Sequence, residues 1–210
     1  MKYLALCLLF ALLPLSAFAQ EYPRSEFVTN YSYLRTDQED LDLNGLASLS
    51  RRPANLNGWN INITGNPTKW FGAVFDVGGA YGNIEYRLQA PGLTQSARVD
   101  SRFHSVMAGP QFSFRGGPGT VFVRGLAGVA FASQNVTLPL IGRLDSSDKS
   151  FAFGGGGGFD IRISDRISIR ALQADVIFTR FDVNVNGLNF PGDRRAAIRI
   201  STGFVFRNRD

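Results

Sequence analysis

The sequence reads WNINIT at residues 59–64, an unbroken alternation of apolar and polar side chains. Successive side chains of a β-strand point to opposite faces, so this pattern predicts a strand with one apolar and one polar face. The same period of two recurs in six further segments, at residues 27–34, 70–82, 105–114, 121–131, 151–163 and 198–206. A less regular eighth segment spans residues 167–181. The sequence therefore predicts an all-β chain of eight strands.

The amino-acid composition excludes three other classes of chain. Apolar residues make up 44% of the 210 residues, which is too large a fraction for an intrinsically disordered protein. The 23 glycines have no period of three, which a collagen would require. The 18 phenylalanines, with many Gly, Val, Thr and Asn residues, replace the Ala, Glu, Lys and Leu of a helical bundle.

The first nineteen residues have the pattern of a secretory signal peptide. A positively charged start precedes a short apolar run, and the small-x-small sequence AFA ends it at residues 17–19. The run is too short for a transmembrane anchor, so we expect cleavage before Gln20. The single cysteine, Cys7, falls within the apolar run. We therefore predict a signal peptide at residues 1–19 and a cysteine-free domain at residues 20–210.

The lengths of the connections distinguish a membrane barrel from a soluble β-sandwich, because alternation alone fits both. Three connections are tight turns, at residues 66–69, 116–119 and 164–166. Four are long, at residues 36–55, 88–97, 137–149 and 182–195. Short turns at one rim and long loops at the other are typical of outer-membrane barrels. The prediction is an eight-stranded antiparallel transmembrane β-barrel with short periplasmic turns and four longer outer loops.

The seventh segment is the one whose register the sequence leaves open. Arg170 and Asp175 have opposite parity, so no regular strand places both on one face. A β-bulge would reconcile them. Alternatively, Arg170 and Arg180 lie at the two rims with apolar residues between them. We favour the second arrangement.

The pattern resembles the small OmpA-type and opacity-type outer-membrane β-barrels of Gram-negative bacteria. The residues that carry the resemblance are YSY at 31–33, GPQFS at 109–113 and RISTGFVF at 199–206. The resemblance covers the whole of residues 20–210. It implies a location in the outer membrane, insertion by the barrel-assembly machinery, and contact with outer-membrane lipid and lipopolysaccharide.

Charged and polar residues of the inward face form the main candidate site. Buried charges need partners, and arginine pairs with carboxylates through two parallel hydrogen bonds. We expect Asn30, Asn60 and Asn62 to assist, with Arg115 near the short-turn rim. The predicted lumen network consists of Asp76, Gln111, Arg124, Asp160, Arg162, Asp175 and Arg199.

The interior of an eight-stranded barrel is just wide enough for side chains to fill it. We therefore favour a structural network over an ion path. The predicted function is a structural or surface-interaction role, in which the four long loops contact a surface ligand. The alternative is a narrow porin-like channel for ions or very small solutes.

Other motifs give no support for catalysis or for a cofactor. The glycine run at 154–158 lacks the Lys-Ser/Thr of a phosphate-binding loop. His104 and Ser105 are adjacent in a strand and point to opposite faces, which disfavours a lipid-A-modifying enzyme. A single histidine makes a transition-metal site improbable, and the acidic residues at 37–42 fit a solvated loop better than a Ca²⁺ site. The net charge of +5 comes from scattered cations, so we expect no nucleic-acid partner.

Overall fold

The computed structural model describes residues 22–36, 39–43, 47–51, 53–90, 93–138, 142–180, 183–185, 188–190 and 194–208. The predicted signal peptide lies outside the described residues. Within them, the chain forms twelve strands: β1 (Ser25–Thr36), β2 (Glu39–Leu43), β3 (Ala47–Arg51), β4 (Asn55–Gly65), β5 (Phe71–Ala90), β6 (Leu93–Gly116), β7 (Gly119–Leu138), β8 (Gly142–Arg162), β9 (Ile167–Arg180), β10 (Val183–Val185), β11 (Leu188–Phe190) and β12 (Arg194–Asn208). Over the same ranges, no helix is long and apolar enough to cross a membrane.

Eight of these strands close into an antiparallel barrel, as the sequence predicted. The order around the barrel is β1-β4-β5-β6-β7-β8-β9-β12, and β12 pairs with β1 to complete the circle. Closure satisfies the backbone hydrogen bonds of every barrel strand, so the barrel wall has no free edge. Strand β1 begins and strand β12 ends at the rim of the short turns.

The two faces of the barrel wall have opposite chemistry. Phe75 and Phe153 point outward and are 46% and 43% exposed, whereas the adjacent Asp76 and Ala152 point inward and are completely buried. More than twenty other large apolar side chains share the outward face. A continuous apolar outer wall around a polar interior is the pattern of a barrel surrounded by lipid, and it is the reverse of a soluble sandwich.

The two rims differ in the length of their connections. Turns of a few residues join the strands at one rim, at residues 66–70, 117–118 and 163–166. Gly117 has a φ angle of 52°, the left-handed region that glycine enters at little cost.

The longer connections at the other rim consist largely of paired strands. The β5–β6 and β7–β8 hairpins continue past the barrel, with β5 reaching Ala90 and β7 reaching Leu138. The β2–β3 hairpin pairs with the outer part of β5, and β10 pairs with β11. An antiparallel ladder satisfies the backbone outside the membrane as well as inside it, so these strands need not end where the apolar band ends.

Strand β9 contains the β-bulge that the sequence left as one of two possibilities. Relative to β12, Gln173 pairs with Ser201 but Arg170 pairs with Gly203, so β9 has one extra residue. The bulge brings Arg170 and Asp175 to the same inner face, where both are buried. The arrangement that we favoured, with Arg170 at a rim, is wrong. The hydroxyl of Thr202 donates a 2.9 Å hydrogen bond to the Arg170 carbonyl beside the bulge.

Candidate functional site

Four charged side chains meet at the centre of the barrel, and we call them the lumen quartet: Asp76 on β5, Arg124 on β7, Asp175 on β9 and Arg199 on β12. Arg124 forms a fork on Asp175, with Nε 3.0 Å from Oδ1 and Nη2 2.8 Å from Oδ2. Nη2 of Arg124 also lies 3.0 Å from Oδ2 of Asp76. Arg199 bridges both carboxylates, at 3.1 Å from Asp76 and 3.0 Å from Asp175.

Neutral amides complete the hydrogen bonding of the two quartet carboxylates. The side-chain amides of Asn60 and Asn62 both donate to Oδ2 of Asp76. Gln173 donates to Oδ2 of Asp175 at 2.8 Å. Each carboxylate therefore contacts both arginines of the quartet and accepts a hydrogen bond from at least one amide. These contacts offset the cost of removing the carboxylate from water.

Arg170 links the quartet to a second ion pair nearer the short turns. Its Nε and Nη2 lie 2.8 and 3.1 Å from the carboxylate oxygens of Asp160. Its Nη1 donates to Asn62 and Gln173, both of which contact the quartet. The guanidinium carbon also lies 4.2 Å from the ring centroid of Phe122, a cation–π contact. We did not predict Arg170 as a lumen residue, because we favoured the arrangement without a bulge; the opposite parity of Arg170 and Asp175 was the signal for the bulge.

The central network is electrically balanced. Three arginines (Arg124, Arg170 and Arg199) face three aspartates (Asp76, Asp160 and Asp175), and all six are buried. Every one of the carboxylates has an arginine within 3.1 Å. A carboxylate held in this way is a poor ligand for a passing cation and a poor general base, because its charge is already matched.

A third group of charged side chains lies at the end of the barrel beside the short turns. We call it the short-turn mouth, and it consists of Glu26, Arg115, Arg162 and Arg207. Arg115 and Arg207 each have a nitrogen 3.3 Å from Oε1 of Glu26. Arg207 also lies 3.9 Å from Asp160, which connects the mouth to the central network. The Nε of Arg162 is buried without a hydrogen-bond partner among the described residues.

Five of the seven predicted lumen residues thus lie in one connected network, and two do not. The two are Gln111, whose amide donates to Ser113 at 3.2 Å, and Arg162 at the mouth. Asn30 joins the edge of the network through a 3.0 Å hydrogen bond to Asn60.

A cluster of buried apolar side chains, which the sequence analysis did not predict, lines the lumen beside the quartet. It comprises Leu34, Ala54, Leu56, Val74, Ala80, Met107, Leu126, Ala130, Ala152 and Ile177, with Phe103, Ala132 and Ala197 packed against it. We call its members on the outer side of the quartet, Leu34, Leu56, Ala80, Ala130, Ala152 and Ile177, the apolar cap. Along the strands, Ile177 lies two residues outside Asp175 and Ala80 lies four residues outside Asp76. The signal for the apolar cap in the sequence was Leu34, an apolar residue with the same inward parity as Asn30 and Ser32.

A glycine makes room for the quartet at the wall of the barrel. Gly156 on β8 pairs with Arg124 on one side and with Asp175 on the other. A Cβ built at Gly156 would overlap the carboxylate of Asp175 and the carbonyl of Ala174. This close approach explains the glycine at 156, one of three inward-facing glycines in the run at 154–158.

We expect Gly156→Ala to lower the free energy of unfolding by about 1–3 kcal/mol through overpacking. The measurement is urea-dependent unfolding of the barrel in lipid vesicles. Gly125→Ala is the matched control, because Gly125 has no atom within 4 Å of a built Cβ. Equal stability of the two variants would contradict the packing that we describe.

The family model for the outer membrane protein beta-barrel domain matches residues 5–206. The chain belongs to this family of outer-membrane β-barrels. The family indicates an outer-membrane location, and the short turns of such barrels face the periplasm. The apolar outer wall therefore faces lipid, and the apolar cap lies on the side of the cell exterior.

Two solved barrels have the same fold. Ail, the attachment invasion locus protein of Yersinia pestis, has a TM-score of 0.53 and 15% sequence identity, covering 87% of this chain and 99% of its own. Neisserial surface protein A has a TM-score of 0.55 and 13% identity, covering 90% of this chain and 99% of its own. No curated protein matches the chain in sequence.

The sole histidine of this outer-membrane barrel lies on the outer wall, away from the lumen network. The Tyr81 hydroxyl is 3.0 Å from Nε2 of His104, and the two rings meet edge to face. Ser105 points inward and is buried, so it does not approach the imidazole. In the part of the chain that the structure describes, no group of three His, Cys, Asp or Glu residues is placed to hold a metal ion.

Proposed function

We propose that this barrel does not conduct ions and that it has a structural and surface-interaction role in the outer membrane. Its hairpins at the outer rim form the contact surface. The observation that carries the proposal is the occupied lumen, in which the quartet and the apolar cap follow one another along the barrel axis.

The small space beside Arg199 supports a closed lumen. One cavity there, beside Leu34, Gly78 and Ser105, has a volume of about 10 Å³. That volume is about the minimum for a single water molecule, whereas conduction needs a continuous file of water. An ion that entered would also have to pass the apolar cap, whose side chains cannot replace its hydration shell.

The outer rim supports the second half of the proposal. Long hairpins extend past the membrane on a rigid barrel, and binding residues are often presented in this way on a stable scaffold. They fall within residues 36–55, 88–97, 137–149 and 182–195, the segments that we predict to contact a surface ligand. Ail, which has the same fold, is described as an attachment protein and has been crystallised with a heparin analogue. An eight-stranded barrel is therefore a sufficient scaffold for surface contact.

The test displays two forms of the chain on bacteria that lack other adhesins. In the trimmed form, residues 85–98 are replaced by Asn-Gly, which joins the paired residues Ile84 and Val99 by a two-residue hairpin and keeps the barrel strands. Retention of the cells is measured in a flow chamber coated with heparin, fibronectin or laminin. We expect the full chain to retain cells on at least one coating, and the trimmed chain to lose at least half of that retention.

A heat-dependent gel shift verifies that both forms are folded. Cells with the full chain that are retained no better than empty-vector cells on all three coatings would contradict the surface role. Ion current through the purified full chain would then favour the channel.

A further inference from the structure

A depression of about 510 Å³ opens on the outer wall of the barrel at the short-turn rim. It lies where the β4–β5 turn, the end of β6, the start of β7 and the end of β8 meet. The residues that shape it are Lys69, Trp70, Phe114, Arg115, Val121 and Phe159. Of the residues that shape it, Arg115 also belongs to the short-turn mouth, and the proposed surface role does not use the depression.

Its floor and walls are apolar. Phe114, Val121 and Phe159 point outward from three neighbouring strands and are at least 40% exposed. Gly119 keeps the floor low, because a Cβ at this position would lie 2.8 Å from the ring of Phe159. The result is a trough between bulky side chains that has the width and the chemistry for a hydrocarbon chain.

The accessible positive charge at the edge of the depression is Lys69, whose backbone is held by Arg115. Arg115 donates from Nη1 to the backbone carbonyl of Lys69 and from Nη2 to Glu26. This side chain is more than nine-tenths buried, and its Nε has no hydrogen-bond partner among the residues described. The Lys69 side chain is exposed at the edge of the depression.

Trp70 closes the remaining side. Its carbonyl accepts a 2.8 Å hydrogen bond from the Ser113 amide, and its ring stacks on Phe112 with centroids 5.9 Å apart. The backbone hydrogen bond and the ring contact together fix Trp70 at the edge of the depression.

The position of the depression in the membrane fits an apolar trough with a charged edge. Tryptophan at the edge of an apolar band marks the boundary between hydrocarbon and headgroups. Lys69 precedes Trp70 in the β4–β5 turn, so it lies on the headgroup side of this boundary. Because the short turns face the periplasm, this boundary belongs to the phospholipid leaflet and not to the leaflet of lipopolysaccharide.

We propose that the depression is a binding site for one anionic glycerophospholipid of the periplasmic leaflet. One acyl chain lies along Phe114, Val121 and Phe159. The phosphate lies at the edge of the depression beside the exposed Lys69. The apolar trough selects a lipid over free phosphate, and Lys69 favours an anionic headgroup over a zwitterionic one.

Native mass spectrometry of the purified barrel tests the site. The barrel is released from detergent micelles that contain equal amounts of phosphatidylglycerol and phosphatidylcholine, and the fraction that retains one lipid is measured. We expect wild type to retain phosphatidylglycerol in preference to phosphatidylcholine. Lys69→Gln should weaken this retention about fivefold, as expected for one lysine at an anionic headgroup.

Three further arms separate the possible sources of binding. Val121→Trp fills the trough and should abolish specific retention of lipid. The variant should still fold, because tryptophan is readily accepted on the outer wall near the membrane interface. Lys149→Gln, at the opposite end of β8, should retain lipid as wild type does. Inorganic phosphate at millimolar concentration should not displace the lipid.

Equal retention of the two lipids by wild type would overturn the proposal. Unchanged retention in Lys69→Gln or in Val121→Trp would also overturn it. A heat-dependent gel shift for each variant shows that a loss of lipid does not come from a loss of fold.

Discussion

Arg199→Leu is expected to lower the free energy of unfolding by about 3–5 kcal/mol, the range for a buried ion pair that loses one partner. Arg199 is the side chain that bridges Asp76 and Asp175, with four hydrogen bonds at 3.0–3.1 Å. Its removal leaves one negative charge in excess inside the barrel. The measurement is urea-dependent unfolding in lipid vesicles, followed by the gel shift and by tryptophan fluorescence.

A charge-balanced double variant separates the loss of the ion pair from the loss of packing. Arg199→Leu with Asp76→Asn removes one charge of each sign and leaves the Arg124–Asp175 fork in place. We expect the double variant to be more stable than Arg199→Leu alone. Arg166→Leu in an exposed turn should change the stability by less than about 0.5 kcal/mol. A double variant that loses the sum of both single effects would contradict the coupling that we describe.

Phe153→Asp is expected to reduce insertion into vesicles severely, because a charged side chain deep in the bilayer costs about 2–3 kcal/mol. Phe153 points outward four residues from Lys149, the nearest outward charge on β8. Its ring also stacks on Phe178, with centroids 5.3 Å apart, and that contact is lost as well. The measurement is the folded fraction after dilution from urea into phospholipid vesicles.

Phe153→Leu is the matched control and should insert almost as wild type does, because it keeps an apolar side chain at the same place. Asp160→Phe places an apolar ring in the lumen and leaves Arg170 unpaired, so we expect it to fold poorly. Normal insertion of both Phe153→Asp and Asp160→Phe would show that the two faces of the barrel wall are assigned incorrectly.

Parity predicts side-chain direction only where a strand is regular. Asp76, Arg124 and Arg199 lie in uninterrupted alternation, so their meeting in the lumen follows from the sequence. Arg170 lies beyond a bulge of one residue, and one residue is enough to turn a side chain to the other face. The bulge depends on partners on β8 and β12, which are distant in sequence.

The apolar cap and the outer hairpins were missed for different reasons. In the sequence of one strand, an inward leucine such as Leu34 looks like an irregularity in a polar face. The apolar layer becomes visible only when the folded barrel brings the apolar residues of several strands together. The outer hairpins continue the period of two in places, as in IEYRLQA at residues 84–90, but the sequence analysis assigned these segments to loops. Their pairing depends on backbone hydrogen bonds, which every sequence without proline provides.

Single-channel recording of the purified chain in a planar bilayer tests the central claim, a lumen closed by the quartet and the apolar cap. A heat-dependent gel shift first establishes that the sample is folded, and a general porin in the same bilayers establishes that a conducting barrel is detected. We predict a folded barrel that gives no discrete current steps. Reproducible steps from the folded wild-type chain would contradict the closed lumen.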